Sequence, residues 1–508
     1  MRKSSPSPAT RSVGAGVEAL AGGRLLGVLF LSIFVIGFAR RALVGWDAPL
    51  WLDEAFTGAI AIQPSLSGLV RDCLHELGGP VYYGLIWSWE KLFGPSDLSL
   101  RLPSFIFSIL APALVLWRGH PDPKLRLFWA ALIALWAPSF YFATEARPYA
   151  LLFLLATGQI ILFRRLLDVP SLGRAFAWTG LSTLLILTHY HALVLTALEA
   201  LAFLALKRKA AISTWPATLL FAPMLVWMAF HLPLHMRFSN PQVAWQKLLS
   251  PASVQAFPDL MMGAGRLSLV IFALLAVTTT IDLFRAATGK AALPYQRHDA
   301  AAVALSMAAI LIVYGLGFIR PSFTPRYLVP FMPGFLLGLA MWLRLWAPRA
   351  RLIPWLALLP LLLLTATSLF DRLRDPKLDR RWDFSWQQAA QDIGASGAKR
   401  LIFLWDNPTT ALGYPEILQR TGGFFFDRAH VPIPTEPLIL AGRGNIDPNI
   451  ALVRLAREDD AIIWAYDGAV PHTLAARHPP RLSSIDRRWR CKNYGRLNIT
   501  VLSCTRSK

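Results

Sequence analysis

The sequence predicts an all-α polytopic membrane protein that carries a small C-terminal α/β domain. The chain has 508 residues, of which 55% are hydrophobic and only 16% are charged, and its mean hydropathy is +0.45. A soluble protein carries about a quarter charged residues. Apolar runs long enough to cross a bilayer recur as far as residue 370, after which short strand and helix patterns take over. A membrane part followed by a soluble part is therefore expected.

The apolar runs define the candidate spans. They are 25–43, 101–117, 126–143, 148–163, 175–189, 191–206, 212–231, 264–284, 300–319, 327–346 and 352–370. The apolar segment Pro80–Phe93 is short and contains Glu90 and Lys91. We expect an interfacial or partly inserted helix there, although a full crossing stays open. The predicted number of transmembrane helices is about 11–13.

Basic residues are concentrated in short loops between the spans. The loops are Arg118–Arg126, Arg164-Arg165, Lys207-Arg208-Lys209 and Arg344–Arg351, and the net charge of the chain is +21. The positive-inside rule places these loops in the cytoplasm of a bacterial inner-membrane protein. This placement argues against nucleic acid as a partner. Residues 1–24, rich in Ser, Pro, Ala and Gly, are predicted to be a disordered cytoplasmic N-terminus, and the first span lacks a cleavage site.

Residues 25–370 are thus the predicted transmembrane domain, and residues 371–508 a soluble extracytoplasmic α/β domain. A helix over Ser385–Ile393 and strands over 401–405, 461–464 and 497–502 fit the residue pattern. Cys491 and Cys504 flank the last strand. If this domain is outside the cytoplasm they form a disulfide; otherwise they are two unpaired small residues.

The polar residues near the spans favour one side of the membrane. On this topology the outer boundaries carry Asp53, Glu54, His75, Glu76, Tyr82, Tyr83, Glu145, Arg147, Tyr149, His189, His191, Arg320 and Arg326. Structural polar residues have no reason to gather on one side. We therefore predict an active site at the outer membrane surface.

Asp53 is the predicted general base. A carboxylate in partly apolar surroundings has its pKa raised, which suits base catalysis. The alternative is a helix N-cap, because Asp53 precedes a helical pattern over residues 54–60. Glu54 is a weaker candidate for substrate binding.

Two arginine-containing segments are candidates for the same site. Glu145 and Arg147 lie on a brief turn before Pro148, which fits the first turn of a helix, and an ordinary salt-bridged loop is the alternative. Arg326 and Arg101 lie at the mouths of spans. Arginines there either bind a phosphate or snorkel to the interface.

His189 and His191 form the remaining polar pair. On a helix, residues i and i+2 point apart, so a shared metal ion is disfavoured and hydrogen bonding to substrate is preferred. No strong cluster of oxygen ligands is evident, and a divalent metal cofactor stays possible but unassigned.

Four ordered blocks resemble the protein O-mannosyltransferase and aminoarabinose transferase superfamily, and bacterial glycosyltransferase family 39-like proteins in particular. The blocks are Trp51-Leu52-Asp53-Glu54, then Gly79–Tyr83 with Leu92–Gly94 and Leu100–Ser104, then Glu145–Ala150, and finally Pro325–Pro330. Relatives often read His-Pro-Pro before the tyrosines, whereas here four residues separate His75 from Pro80. The resemblance therefore assigns no role to His75.

The resemblance implies a membrane glycosyltransferase of the C-type fold. Such enzymes transfer a sugar from a polyprenyl-phosphate donor, with inversion, to an acceptor outside the cytoplasmic membrane. It implies that Asp53 is the base, that Glu145 is a second acidic position, and that Arg101 and Arg326 contact the donor phosphate. Tyr82, Tyr83, Arg147 and Tyr149 fall within the same blocks as substrate-binding candidates.

The predicted function is an inverting glycosyltransferase whose partners are membrane lipids, a polyprenyl-phosphate sugar and a lipid, protein or polysaccharide acceptor. The alternative is a transporter or flippase of a lipid-linked sugar, whose charges belong at mid-span. A non-catalytic scaffold leaves the acidic pair unexplained.

Overall fold

The computed structural model describes most of the chain. The described residues are 8–76, 78–238, 248–288, 296–350, 352–378, 385–406, 423–427, 431, 433–440, 446–467, 473–495 and 499–507. The helices up to residue 374 are α1 (Pro8–Leu43), α2 (Leu52–Ala61), α3 (Leu66–Cys73), α4 (Pro80–Phe93), α5 (Asp97–Arg118), α6 (Pro123–Leu135), α7 (Ala137–Ala143), α8 (Tyr149–Asp168), α9 (Leu172–Ile186), α10 (Ala192–Leu206), α11 (Arg208–Ser213), α12 (Ala222–Phe238), α13 (Phe257–Met262), α14 (Arg266–Ala287), α15 (Arg297–Ile319), α16 (Met332–Trp346) and α17 (Leu352–Arg374). Short 3-10 helices lie at Trp215–Phe221, Pro251–Val254, Pro325–Phe331 and Pro376–Leu378.

Seven helical segments of the described chain are long and apolar enough to cross a membrane, or eight if a bent pair counts as one span. The seven are Arg24–Leu43, Asp97–Arg118, Tyr149–Asp168, Trp215–Pro233, Arg297–Ile319, Pro325–Trp346 and Leu352–Arg374. The bent pair is α6 with α7, at 62°. Helices α9, α10 and α14 cover three further predicted spans. The protein is a multi-pass membrane protein, as predicted.

Segment Pro80–Phe93 forms one helix, α4, of 14 residues with proline in its first turn. At about 1.5 Å per residue it is too short to cross a bilayer. It therefore fits the interfacial helix that the sequence predicts.

Helix α1 differs from the sequence prediction at its start. It begins at Pro8, so residues 8–24, which the sequence predicts to be disordered, are helical. A stretch joined to a stable span can extend its helix without a new nucleation step.

The two ends of the transmembrane bundle carry different sets of charged residues, as three of its helices show. Helix α5 carries Arg101 near its first residue and Arg118 at its last, and α8 follows Arg147 and ends beyond Arg165. The basic ends meet: Arg165 donates to the Arg118 carbonyl at 2.7 Å, and Arg344 of α16 donates to Asp122 at 2.8 Å. Three of the four predicted cytoplasmic loops thus gather at one end of the bundle, opposite the predicted site.

The C-terminal region forms a five-stranded sheet. Its strands are β1 (Arg400–Asp406), β2 (Thr435–Pro437), β3 (Asp460–Asp467), β4 (Trp489–Gly495) and β5 (Ile499–Arg506), in the order β2-β1-β3-β5-β4. The helices are α18 (Ser385–Ser396), α19 (Pro448–Leu455), α20 (Leu474–Arg477) and α21 (Leu482–Ile485). Strand β1 is parallel to β2 and β3, whereas β5 is antiparallel to β3 and β4.

Cys491 on β4 lies directly opposite Cys504 on β5, and the two form a disulfide. Of the two alternatives that the sequence leaves open, the structure has the disulfide.

One face of this sheet packs against α2. Alternate side chains such as Phe403 and Trp405 of β1 belong to the same buried cluster as Ala55 and Ala59 of α2. The rings of Phe56 and Trp405 are 5.6 Å apart. Leu404 and its neighbours on the opposite face pack instead with Leu452 of α19. The soluble domain thus contacts the helix that carries the acidic pair.

Candidate active site

Asp53 lies in the first turn of α2, which begins at Leu52 with Trp51 as its N-cap. Asp53 is therefore not the N-cap that the sequence left open as an alternative. Its position still places a negative charge at a helix N-terminus, which is favourable. The side chain is 21% exposed, so it can reach a substrate.

Two arginines from distant parts of the chain converge on Asp53. Arg326 Nη1 donates to Asp53 Oδ2 at 2.7 Å, and Arg147 Nη2 lies 4.0 Å from the same oxygen. Arg147 Nη1 also donates to the Asp53 backbone carbonyl at 3.1 Å. Asp53, Arg147 and Arg326 thus form one charged centre.

The pKa of Asp53 differs from the sequence expectation. Burial raises the pKa and is the largest single influence, but the charges of Arg326 and Arg147 and the Arg326 hydrogen bond together outweigh it. The pKa of Asp53 therefore lies below its ordinary value, and the predicted increase was wrong. Sequence alone shows the apolar neighbours of Asp53 but not the cations that the fold brings to it.

Arg147 is fixed by a second set of contacts. It lies 3.1 Å from Glu76 Oε1 through Nη2 and donates to the Tyr83 hydroxyl at 3.2 Å. Tyr83 in turn donates to Glu76 Oε1 at 2.8 Å. These anionic and polar neighbours keep the pKa of Arg147 well above its ordinary value although burial opposes this. Arg147 is cationic throughout the working pH range.

Glu54 and Arg101 form a fully buried ion pair. Arg101 Nε and Nη2 donate to the two Glu54 oxygens at 2.8 and 2.7 Å, and both side chains are 0% exposed. The other Arg101 donors bind the carbonyls of Trp46, Ala48 and Pro49 at 3.2, 2.6 and 3.1 Å. Glu54 also accepts from the Ala146 N–H at 2.8 Å.

Arg101 is therefore placed to hold α2 and the segment before it against α5, and not to contact a donor phosphate. All of its N–H groups already have acceptors in the protein, and no surface is left for a ligand. For the same reason Glu54 is a structural partner of Arg101 and does not face substrate. An arginine at the mouth of a span also suits a phosphate site. Only the packing around Arg101 distinguishes its structural role from phosphate binding.

Three other predicted residues are buried around this centre. Glu145, Tyr82 and Tyr149 are 1%, 0% and 3% exposed. Tyr82 packs edge-on against Tyr83, with ring centroids 5.6 Å apart, and the Arg326 guanidinium lies 5.7 Å from the Tyr149 ring centroid. Among the three acids Asp53, Glu54 and Glu145, Asp53 is thus the exposed one.

His189 and His191 do not point apart. Residues 187–191 form a turn between α9 and α10 and are not helical, so the helical-spacing argument fails here. Their Nδ1 atoms are 3.4 Å apart, and His191 stacks on Tyr327 with ring centroids 4.2 Å apart. The turn places both rings beside Tyr327, which follows Arg326 in the sequence. No group of three or more His, Cys, Asp or Glu residues in the described ranges is arranged to hold a metal ion.

The two remaining candidates have other surroundings. His75 Nδ1 is 2.7 Å from the Arg71 carbonyl of α3, and Arg320 is exposed at the end of α15. Sequence reasoning underrated Glu76 and missed Tyr327. Glu76 was noted at the outer boundary, but nothing in the sequence paired it with Arg147, and Tyr327 adjoins Arg326 within the fourth block.

No family model matches the sequence, and no curated protein matches it significantly. The solved structures that resemble it include ArnT from Cupriavidus metallidurans. The apo ArnT structure is 14% identical, covers 97% of this chain and 98% of its own, and has a TM-score of 0.52. ArnT bound to undecaprenyl phosphate is 15% identical, with 94% and 98% covered and a TM-score of 0.55. At this identity the likeness shows the fold, which is the predicted C-type glycosyltransferase fold with its C-terminal α/β part.

Proposed function

We propose that this protein is an inverting glycosyltransferase that moves a hexose or pentose from a polyprenyl-phosphate donor to an acceptor at the outer face of the bacterial cytoplasmic membrane. The observation that carries the proposal is the partly exposed Asp53 carboxylate held between Arg326 and Arg147. A base beside two phosphate-binding cations is what this reaction needs. The ArnT fold and its binding of undecaprenyl phosphate support the donor class.

The reaction is a single displacement. Asp53 accepts a proton from the acceptor hydroxyl or amine while the acceptor atom bonds to the anomeric carbon of the donor sugar. The bond from that carbon to the phosphate oxygen breaks, and polyprenyl phosphate leaves with its electron pair. Attack opposite the leaving group inverts the anomeric configuration.

Arg326 links donor binding to base strength. Its Nη1 lies 2.7 Å from Asp53 Oδ2, and its side chain is 23% exposed. A donor phosphate competes for this guanidinium and, on binding, withdraws the nearest cation from Asp53. The carboxylate then becomes a stronger base when the substrate is in place.

Arg147 has a complementary, more fixed role. Its side chain is 9% exposed, and Glu76 and Tyr83 hold it in place. We assign it to stabilising the negative charge that develops on the leaving phosphate, since a preorganised cation does this without reorganisation. Glu145 stays a proposed acidic member of the site in the loop that carries Arg147, and Tyr149, His189 and His191 line the Arg326 side.

The proposed orientation places the site and residues 371–508 outside the cytoplasm. The Cys491–Cys504 disulfide belongs to an oxidising compartment. The basic loops gather at the opposite end of the bundle, which fits a cytoplasmic face.

The fate of the donor bond tests the proposal against a flippase. Purified protein in vesicles is given polyprenyl-phosphate sugars with a radiolabelled sugar, together with membrane acceptor extract. A transferase converts the donor to polyprenyl phosphate and a labelled acceptor. Intact donor that is only moved between leaflets would overturn the proposal and support the flippase.

A further inference from the structure

The bent pair α6–α7 leads directly into the loop that carries Arg147. Helix α7 ends at Ala143, and residues 144–148 follow before α8 begins. In this loop the Ala146 N–H binds Glu54 and the Arg147 side chain reaches Asp53. The direction of α7 after the bend therefore decides where the loop stands relative to the acidic pair.

The bend leaves backbone carbonyls without their helical partners. In an unbroken helix the Ala134 carbonyl would accept from the N–H of residue 138, but that residue is Pro138, which has none. Trp136, between the two helices, has extended backbone angles. A carbonyl left unpaired in an apolar interior is strongly unfavourable, so another donor is needed here.

Arg41, near the end of α1, supplies that donor. Its Nη1 donates to the Ala134 carbonyl at 2.9 Å, and its Nη2 to the Ile133 carbonyl at 3.4 Å and the Ser139 hydroxyl at 2.6 Å. The Ser139 hydroxyl in turn donates to the Trp136 carbonyl at 2.6 Å. One guanidinium thus joins the end of α6 to the start of α7.

The rest of the Arg41 side chain is fixed as well. Nε donates to Ser108 of α5 at 2.7 Å, Nη1 donates to the Gly37 carbonyl at 2.8 Å, and the guanidinium lies 4.5 Å from the Phe140 ring centroid. Arg41 is 3% exposed, so it does not snorkel to the interface.

Residues on both sides of the bend are also closely packed against neighbouring helices. A Cβ on Gly37 would lie 2.9 Å from the Ala134 oxygen, so glycine lets α1 approach α6 one turn before Arg41. On the other side Trp136 Nε1 donates to the Met261 carbonyl at 2.9 Å. Gly263 has a φ of +66°, and a Cβ there would lie 2.9 Å from Pro138 Cδ.

We infer that Arg41 is a positioning residue for the active site: it fixes the α6–α7 bend and thereby the loop that places Arg147 beside Asp53. The catalytic part of this inference rests on the proposed function. The positional part does not, because it concerns the loop itself.

Hydrogen exchange in lipid nanodiscs tests the positional part without any activity. The Ala146 and Arg147 amides are bonded to Glu54 and to the Glu145 carbonyl, each at 2.8 Å. In Arg41→Met these two amides should exchange several-fold faster than in the native protein. Arg41→Lys, which keeps one donor group, should lie between the two. The matched control is Arg40→Met: Arg40 donates to Ser368 of α17 at 3.3 Å and lies 5.5 Å from the Phe140 ring centroid, and its replacement leaves the Arg41 bonds to the Ala134 and Ile133 carbonyls in place. Unchanged exchange over residues 144–148 in Arg41→Met, or an equal increase in Arg40→Met, would overturn the inference.

Transfer kinetics test the catalytic part. Arg41→Met should lower kcat by about 10- to 100-fold, as expected for a small displacement of a catalytic group. In an Arg147→Ala background the same change should have little further effect, because the group it positions is already absent. Full additivity of the two changes would contradict the inference. If the native protein transfers no sugar, the proposed function fails while the exchange result still stands.

Discussion

Asp53 and Glu54 are adjacent acids with opposite surroundings. Successive helical residues point about 100° apart, so one side chain of this pair faces the site while the other faces the interior. Asp53 is 21% exposed beside Arg326, whereas Glu54 is 0% exposed in its pair with Arg101. On the proposed function, chemistry therefore belongs to Asp53, and Glu54 orients it.

The lowered pKa of Asp53 predicts a particular pH profile. Because the carboxylate is ionised above its depressed pKa, the acid limb of kcat/KM should lie below the ordinary aspartate value of about 3.9. Replacing Arg326 by Gln removes the largest lowering influence and leaves the burial that raises the pKa. The acid limb of Arg326→Gln should therefore move to higher pH. The pH dependence of kcat/KM for both proteins measures this.

Arg320→Gln is the control for that profile, because it removes an equal charge from an exposed position at the end of α15. Its acid limb should match that of the native protein. Two results would show that Arg326 does not set the protonation of Asp53. One is an acid limb of kcat/KM in Arg326→Gln at the same pH as in the native protein, and the other is a native acid limb well above the ordinary aspartate range.

The residue types of the site were predictable from sequence, but their roles only in part. Asp53, Arg147 and Arg326 stand out as charges at span boundaries. Arg101 has the same signature, and only its five protein acceptors show that it is a structural residue. The turn between α9 and α10 interrupts an apolar pattern that has no local turn signal. With a helix assumed there, the spacing of His189 and His191 predicted that their side chains point apart.

At the scale of elements, α2 is held at two points. Arg101 and the Ala146 N–H bind Glu54 in its first turn, and Phe424 packs against Gly58, one turn further along the helix. A Cβ on Gly58 would lie 2.1 Å from the end of the Phe424 ring, so glycine at this position leaves room for the ring. The C-terminal domain therefore packs directly against the helix that carries Asp53.

Phe424→Ala should weaken the contact between the C-terminal domain and α2. Removal of a buried phenylalanine costs about 3–5 kcal/mol of stability, and the cavity would lie against α2. We expect kcat to fall by about tenfold or more as Asp53 loses its exact placement. Transfer assays at matched membrane abundance measure the effect.

Leu452→Ala is the matched control, because Leu452 is buried on the opposite face of the sheet, away from α2. It should lower the melting temperature of the protein but leave kcat close to the native value. Equal losses of kcat in both variants would mean that the domain acts only through general stability.

Elements were predicted well where a local signal marks them and poorly where it does not. Pro80 and Gly94 bracket α4 in the sequence, and the helix runs from Pro80 to Phe93 as expected. The run 126–143 was predicted as one span because it is continuously apolar. Its 62° bend depends on Pro138 and on Arg41, a residue more than ninety positions away in the chain.

At the scale of the whole molecule, the two ends of the bundle have different charge roles. One end gathers Asp53, Arg147 and Arg326, and the other gathers the basic loops around Asp122. Sequence could predict this because helix length fixes which residues share an end. The order of the sheet and its contact with α2 depend on long-range packing and were not predictable in the same way.

The central claim is that Asp53 performs chemistry while Arg326 binds the donor phosphate. The most direct test compares undecaprenyl phosphate binding and sugar transfer in the same preparations of native protein, Asp53→Asn and the surface control Asp459→Asn, whose side chain is 62% exposed. We predict that Asp53→Asn binds undecaprenyl phosphate at least as tightly as the native protein, because Arg326 loses its competing carboxylate. Its transfer rate should nevertheless fall by about 10²- to 10⁴-fold, the usual contribution of a general base. Retained transfer in Asp53→Asn, or a loss of binding that matches the loss of transfer, would contradict the account.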